Sequence, residues 1–179
     1  FQELFEKVWN GTVENDGFNK LTLLANLGYR EISIIRAYTK YLRQIGFTFS
    51  QSYIEDSVAK NSKIAACLLA SFNARFNPAE TEGEQKTKEI ESELSSLFDA
   101  VVNLDEDRIM RRFYDLIKAT LRTNYFQKTS NDLFKPYISF KLNSRIVPEL
   151  PMPRPLFEIF VYSPRFEGIH LRGSKVARG

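Results

Sequence analysis

The side chains in this sequence that are suited to chemistry are few and scattered. His170 is the only histidine, and on a strand beside Leu171 its imidazole can serve as a general base near neutral pH. No carboxylate or nucleophile beside it in sequence gives it a partner, so it reads as structural. Cys67 lies in the apolar run Ile64-Ala65-Ala66-Cys67-Leu68-Leu69 and reads as a buried small hydrophobe. One histidine and one cysteine cannot complete an ordinary structural zinc site. Asp105, Glu106 and Asp107 put three carboxylates in a row, as a metal site would. At the start of a helical pattern they read as capping and compensation of the helix dipole. Arg108, Arg111 and Arg112 carry charge that suits a phosphate, but their neighbours are acidic and the group reads as a solvated or salt-bridged face.

The elements that must position these groups are mainly helical. Ile34, Ile35, Tyr38, Leu42 and Ile45 recur at helical spacing between Arg30 and Ile45, with Arg36, Lys40 and Arg43 interspersed. Gly46 follows where a left-handed cap favours glycine. Ser50 can cap a short helix over 51–59, with Ser52 and Glu55 as an alternative capping box. A further helix is predicted over 62–76, ending before Pro78. The polar stretch 77–84 reads as a loop. Two longer helices follow. The first, over 85–102, has Ile90, Leu94, Leu97, Phe98 and Val101 as its stripe. The second starts at the N-cap Asn103, with Glu106 placed to close a capping box. It runs toward Asn124 with Ile109, Phe113, Leu116, Ile117 and Leu121 on one face and Arg111, Asp115 and Lys118 off it. At the N-terminus, Phe1, Phe5 and Trp9 follow helical spacing and are expected to pack on a neighbouring helix.

Beyond residue 130 the period falls to two. Ile138, Phe140 and Leu142 share one face of a strand. Pro148, Pro151, Pro153 and Pro155 then mark an extended connector. Phe157-Glu158-Ile159-Phe160-Val161-Tyr162 is the clearest strand, and it can pair as a hairpin with Ile169-His170-Leu171-Arg172. The expected fold is α+β. A helical domain of five or six helices covers 1–130, and a small, mostly antiparallel β segment covers 131–179. About three strands make a sheet too small to stand alone, so it is expected to be the start of a larger one, covered by the helices or paired with a second molecule.

Twenty-five basic and 22 acidic residues leave a net charge of +3, too mild and too interspersed for a nucleic-acid partner. No apolar run approaches the roughly 18 residues that a membrane span needs. Phe1-Gln2-Glu3-Leu4-Phe5-Glu6 lacks the pattern of a signal peptide. A single cysteine allows no internal disulfide and favours a reducing, cytoplasmic setting.

Three segments, in order, resemble the large NAD-specific glutamate dehydrogenases of bacteria. One is Arg36-Ala37-Tyr38 with Tyr41-Leu42-Arg43-Gln44-Ile45-Gly46-Phe47-Thr48-Phe49-Ser50-Gln51-Ser52-Tyr53-Ile54. Another is Leu104-Asp105-Glu106-Asp107-Arg108-Ile109, continued by Ala119-Thr120-Leu121-Arg122-Thr123-Asn124-Tyr125-Phe126-Gln127. The most specific runs from Phe157 through Val161-Tyr162-Ser163-Pro164-Arg165-Phe166-Glu167-Gly168 to Gly173, then Lys175-Val176-Ala177-Arg178-Gly179. The resemblance implies an internal piece of a parent enzyme that oxidises L-glutamate to 2-oxoglutarate and ammonia and reduces NAD. The piece would end where the catalytic domain begins. It would form a helical bridge between regulatory modules and the catalytic core, in a homo-oligomer, and be inactive alone. NAD would bind outside it, because a glycine-rich dinucleotide fingerprint is absent from this sequence. In smaller relatives a Lys-Gly-Gly meets the substrate's side-chain carboxylate, and Arg178-Gly179 stands at the matching place. The resemblance thus implies substrate binding by Arg178, Gly179 and Lys175, with Arg172 a weaker candidate and no catalytic residue in the chain. Ser174 departs from the family pattern, where glycine is frequent. The rival reading is a stand-alone helical interaction or oligomerisation module.

Overall fold

Gly28 opens the helix around which the others pack. Its N–H donates to the Glu31 carboxylate at 2.9 Å, closing the first turn of α3 (Tyr29–Gln44). The computed structural model of the chain describes residues 1–173. Within α3, Ile32, Ile34, Ile35, Ala37, Tyr38, Tyr41 and Leu42 are all buried, so the helix is covered over most of its circumference. It stops as expected, with Gly46 in the left-handed region at φ 85°.

Around it stand α1 (Gln2–Trp9), a 3-10 turn (Gly17–Lys20), the four-residue α2 (Leu21–Leu24), α4 (Gln51–Lys60), α5 (Ser62–Phe76), α6 (Gly83–Asp99) and α7 (Leu104–Ala119). The described residues thus hold seven α-helices, one more than the sequence suggests at most, the addition being α2. Ser50 caps α4 by accepting from the Tyr53 N–H, and the Ser52–Glu55 alternative is not used. Asn103 caps α7 by accepting from Asp105 and Glu106 N–H groups. Glu106 does not complete the box: its carboxylate turns away to Lys60 and Asn61. Leu94 and Phe98 of α6 are buried, and Ile90, Leu97 and Val101 pack beside them as the stripe predicts. Gly83 lets α6 start close against α5, since a Cβ there would meet the Ala74 carbonyl oxygen at 2.5 Å.

Two further expectations fail. Helix α7 ends at Ala119 instead of running toward Asn124, because Thr120 turns extended and begins β1 (Thr120–Thr123). Thr120 Oγ1 donates back to the Leu116 carbonyl at 2.8 Å, and the backbone beyond finds its partners in β2, so the ladder replaces the missing helical turn. Leu121, assigned to the apolar face of the helix, is therefore 44% exposed. Phe1, Phe5 and Trp9 do not pack on a neighbouring helix either. They remain exposed, with Phe5 and Trp9 stacked on each other at 6.1 Å, and Leu4 is the residue α1 buries.

The sheet is antiparallel throughout, in the order β1, β2 (Ile138–Asn143), β3 (Phe157–Ser163), β4 (Phe166–Arg172). Strands β3 and β4 form the expected hairpin, whose turn is held by Ser163 Oγ accepting from the N–H groups of Arg165 and Phe166. Ile138, Phe140 and Leu142 face inward with Glu158, Phe160 and Tyr162 of the neighbouring strand. Tyr38 of α3 lies face to face with Phe140 at 4.2 Å, and Phe72 of α5 meets both rings edge-on. The hydroxyls of Tyr38 and Thr120 are hydrogen-bonded at 2.8 Å. Helices and inner sheet face share one core cluster. Among the described residues no helix is long and apolar enough to cross a membrane.

Phe72→Ala should cost about 3–5 kcal/mol, because the ring is fully buried against five other aromatics. Gly83→Ala should cost about 1–3 kcal/mol by forcing α6 off α5. Gly168→Ala, with open space around the added methyl, should stay within about 0.5 kcal/mol. Denaturant unfolding of the three variants tests this ranking.

Candidate functional site

The residues assigned to substrate, Lys175, Arg178 and Gly179, lie outside the described residues. Arg172 closes β4 opposite Phe157, and its carbonyl accepts from the Leu156 N–H at 2.7 Å. His170 faces outward on the same strand opposite Ile159, exposed and without a hydrogen-bonding side chain among the described residues. Cys67 is buried, and burial, reinforced by the nearby Glu93 carboxylate, pushes its thiol up to about 12, which leaves it unreactive near neutral pH. The acidic start of α7 gathers no metal site: among the described residues no three His, Cys, Asp or Glu side chains converge. The arginines of α7 are taken by acids. Arg108 grips Glu149 in two hydrogen bonds of 2.9 and 3.1 Å. Arg112 reaches the same carboxylate at 2.9 Å, and Arg111 holds Asp107. Glu149 is accordingly held below the usual carboxylate range, by Arg108 first and then Arg112.

Sequence reasoning missed a layer of buried charge under β3. Arg36, within the stripe of α3, is fully buried. Its Nε and Nη2 donate to the two Asp16 carboxylate oxygens at 2.5 and 2.8 Å, and Nη2 also donates to Asn19 Oδ1. Burial works against the guanidinium charge, but hydrogen bonding and attraction from Asp16 outweigh it, so Arg36 is held more firmly protonated than usual. Next to it, Glu14 accepts from the Tyr162 hydroxyl at 3.0 Å and pairs with Lys40 at 3.1 Å. Glu158, pointing into the core, accepts from the Tyr41 hydroxyl at 2.5 Å. Burial raises the Tyr41 phenol far above its ordinary value and the Glu158 carboxylate adds to it. The phenol therefore stays a donor and does no acid–base work near neutral pH. One signal was legible in advance: strict alternation along β3 puts Glu158 on the same face as Phe160 and Tyr162.

A recess of about 330 Å³ with several aromatic residues in its lining lies at the edge of this layer. Its walls are the end of α1, the first turns of α3, the β1–β2 connection and the β3–β4 turn. Arg30 is held there by three partners. It donates from Nη2 to the Tyr125 carbonyl at 2.7 Å and lies over the rings of Phe134 and Tyr125, 3.6 and 4.7 Å from their centres. Such a recess, aromatic-walled and cationic, is suited to hold an anion.

Two family models match the chain. Residues 13–78 match the model described as glutamate dehydrogenase, helical motif 3, and residues 93–179 that of the bacterial NAD-glutamate dehydrogenase catalytic domain. The NAD-specific glutamate dehydrogenase of Halomonas elongata is 48% identical over 179 residues, covering all of this chain and 11% of the relative. That of Pseudomonas aeruginosa is 47% identical over 182 residues, 99% of this chain and 11% of the relative. The protein of the same name from Mycobacterium tuberculosis is 43% identical over the whole chain, again 11% of its own length. The chain thus spans about a tenth of the length of these relatives.

Asp16→Asn should cost about 3–5 kcal/mol, since it strands a buried guanidinium, and pairing Asp16→Leu with Arg36→Met should recover most of that loss. Urea unfolding of the three proteins decides it. Glu106, held below the usual range by Lys60 first and with Asn61 assisting, contributes stability above the ordinary carboxylate value. That contribution is lost as pH falls through its depressed folded value. The melting temperatures of wild type and Glu106→Gln should therefore differ near neutral pH and converge in acid.

Proposed function

We propose that this chain, which belongs to the bacterial NAD-glutamate dehydrogenase family, works within an enzyme that oxidises L-glutamate to 2-oxoglutarate and ammonia and passes the hydride to NAD. The carrying observation is identity of 43–48% along essentially the whole chain to three NAD-specific glutamate dehydrogenases. Residues 1–130 serve as a helical bridge between regulatory modules and the catalytic core, and residues 131–179 open the catalytic domain. The long core shared by helices and sheet suits a rigid connection of that kind. The whole protein is a cytoplasmic homo-oligomer.

Within the parent, Arg178, Gly179 and Lys175 meet the substrate. A guanidinium at 178 can hold the side-chain carboxylate of glutamate in two parallel hydrogen bonds. NAD does not fit the residues described here. The sheet is an antiparallel meander, and among the described residues no strand–glycine turn–helix unit presents backbone N–H groups to a pyrophosphate. The cofactor supplies the hydride acceptor elsewhere in the parent, and this chain orients substrate at most.

Arg178→Gln in the intact enzyme should raise KM for glutamate about tenfold or more while kcat changes little. Steady-state initial rates measure both, and an unchanged KM removes Arg178 from the substrate site. The isolated 179-residue chain should show no glutamate-dependent NADH formation at 340 nm, and any turnover that purifies with it overturns the assignment of the catalytic machinery to other parts of the protein.

A further inference from the structure

We propose that the recess between α1, the start of α3 and the β1–β2 connection is a binding site for a small free organic anion with a flat apolar body. Its volume of about 330 Å³ lies at the lower end of the range of small-molecule sites, about 300–1,000 Å³. Its charge is one-sided. Lys7, Arg30 and Lys135 line it, and the single lining carboxylate, Asp132, is already paired with Lys128 at 2.9 Å. None of the three cations is paired with a carboxylate among the described residues. Lys7 lies over the Tyr29 ring at 5.5 Å, and Lys135 donates to the neutral Gln127 at 3.0 Å. Arg30 is fixed by a carbonyl and two aromatic faces, partners that order a guanidinium without cancelling its charge. Such an arrangement leaves preformed positive charge beside aromatic surface. A carboxylate or phosphate would meet the cations, and a planar body would lie against the rings.

The position of the recess gives binding a consequence. Arg30 and Lys7 belong to the helical part, and Phe134 and Lys135 to the connection that feeds β2. An anion held by both sides would tie the helices more firmly to the sheet.

The test uses the intact protein with benzoate as probe and benzamide as its uncharged isostere. Titration calorimetry or ligand-observed NMR at low salt should give benzoate about tenfold tighter binding than benzamide, and added salt should weaken benzoate alone. Arg30→Gln should abolish the preference. Lys7→Gln combined with Lys135→Gln leaves the packing of Arg30 untouched and should reduce it several-fold, so the question stays open to decision even if the Arg30 variant folds poorly. Saturating benzoate should slow amide exchange in both α3 and the β1–β2 connection. Equal binding of the two probes overturns the proposal. So does an unchanged benzoate affinity in the double variant. A site closed to benzoate in the intact protein would mean that an acidic side chain of a neighbouring segment fills it, and would overturn the proposal of a free ligand.

Discussion

Tyr38 lies flat on Phe140, 4.2 Å away, and its hydroxyl meets Thr120 at the point where α7 becomes β1. Three parts of the fold are joined at that one side chain: the central helix, the inner face of the sheet and the junction between helix and strand. Phe72 brings in α5 edge-on against both rings. Interiors packed to crystal-like density transmit a misfit at one such ring to all the elements around it.

The same burial explains why charge sits inside. A helix covered over most of its circumference has little solvent-facing side for Arg36, so the guanidinium is enclosed and must be matched where it lies. Asp16 matches it with a fork of two hydrogen bonds, drawn from a segment that also caps the 3-10 turn at Phe18. Tyr41 and Glu158 solve the same problem across the helix–sheet seam, with a phenol donor for an inward carboxylate. These pairs fix how α3, the N-terminal segment and β3 register against one another. Apolar contacts alone are less selective in register, and a buried charge that slips by one position loses its partner.

The residues matched by the helical-motif model end at Pro78 and those matched by the catalytic-domain model begin at Glu93. Yet Leu94 and Phe98 of the second belong to the same core as Phe72 of the first. The sheet is roofed by helices from both. Parting them would expose that shared core. The recess beside Arg30 lies on this seam, where helix α3 and the approach to β2 face each other across open space.

Local chemistry was enough to read helices α3, α5 and α6, the caps at Ser50 and Asn103, the left-handed Gly46 and the β3–β4 hairpin, because each depends on residues within a few positions of one another. The likeness to glutamate dehydrogenases was also legible, carried by ordered segments along the chain. Other features waited for the tertiary structure. Thr120 could continue a helix or start a strand, and only the presence of Leu142 across the ladder decides for the strand. Glu106 was placed to cap its own helix, but Lys60 and Asn61, 46 and 45 residues away, attract its carboxylate instead. The outward turn of Phe5 and Trp9, the enclosure of Arg36 and the assembly of Arg30 with Phe134 likewise rest on contacts between distant segments. Sequence spacing determines what a residue meets one turn away. What it meets across the core depends on how helices and sheet close on each other, and that closure is a property of all their faces together.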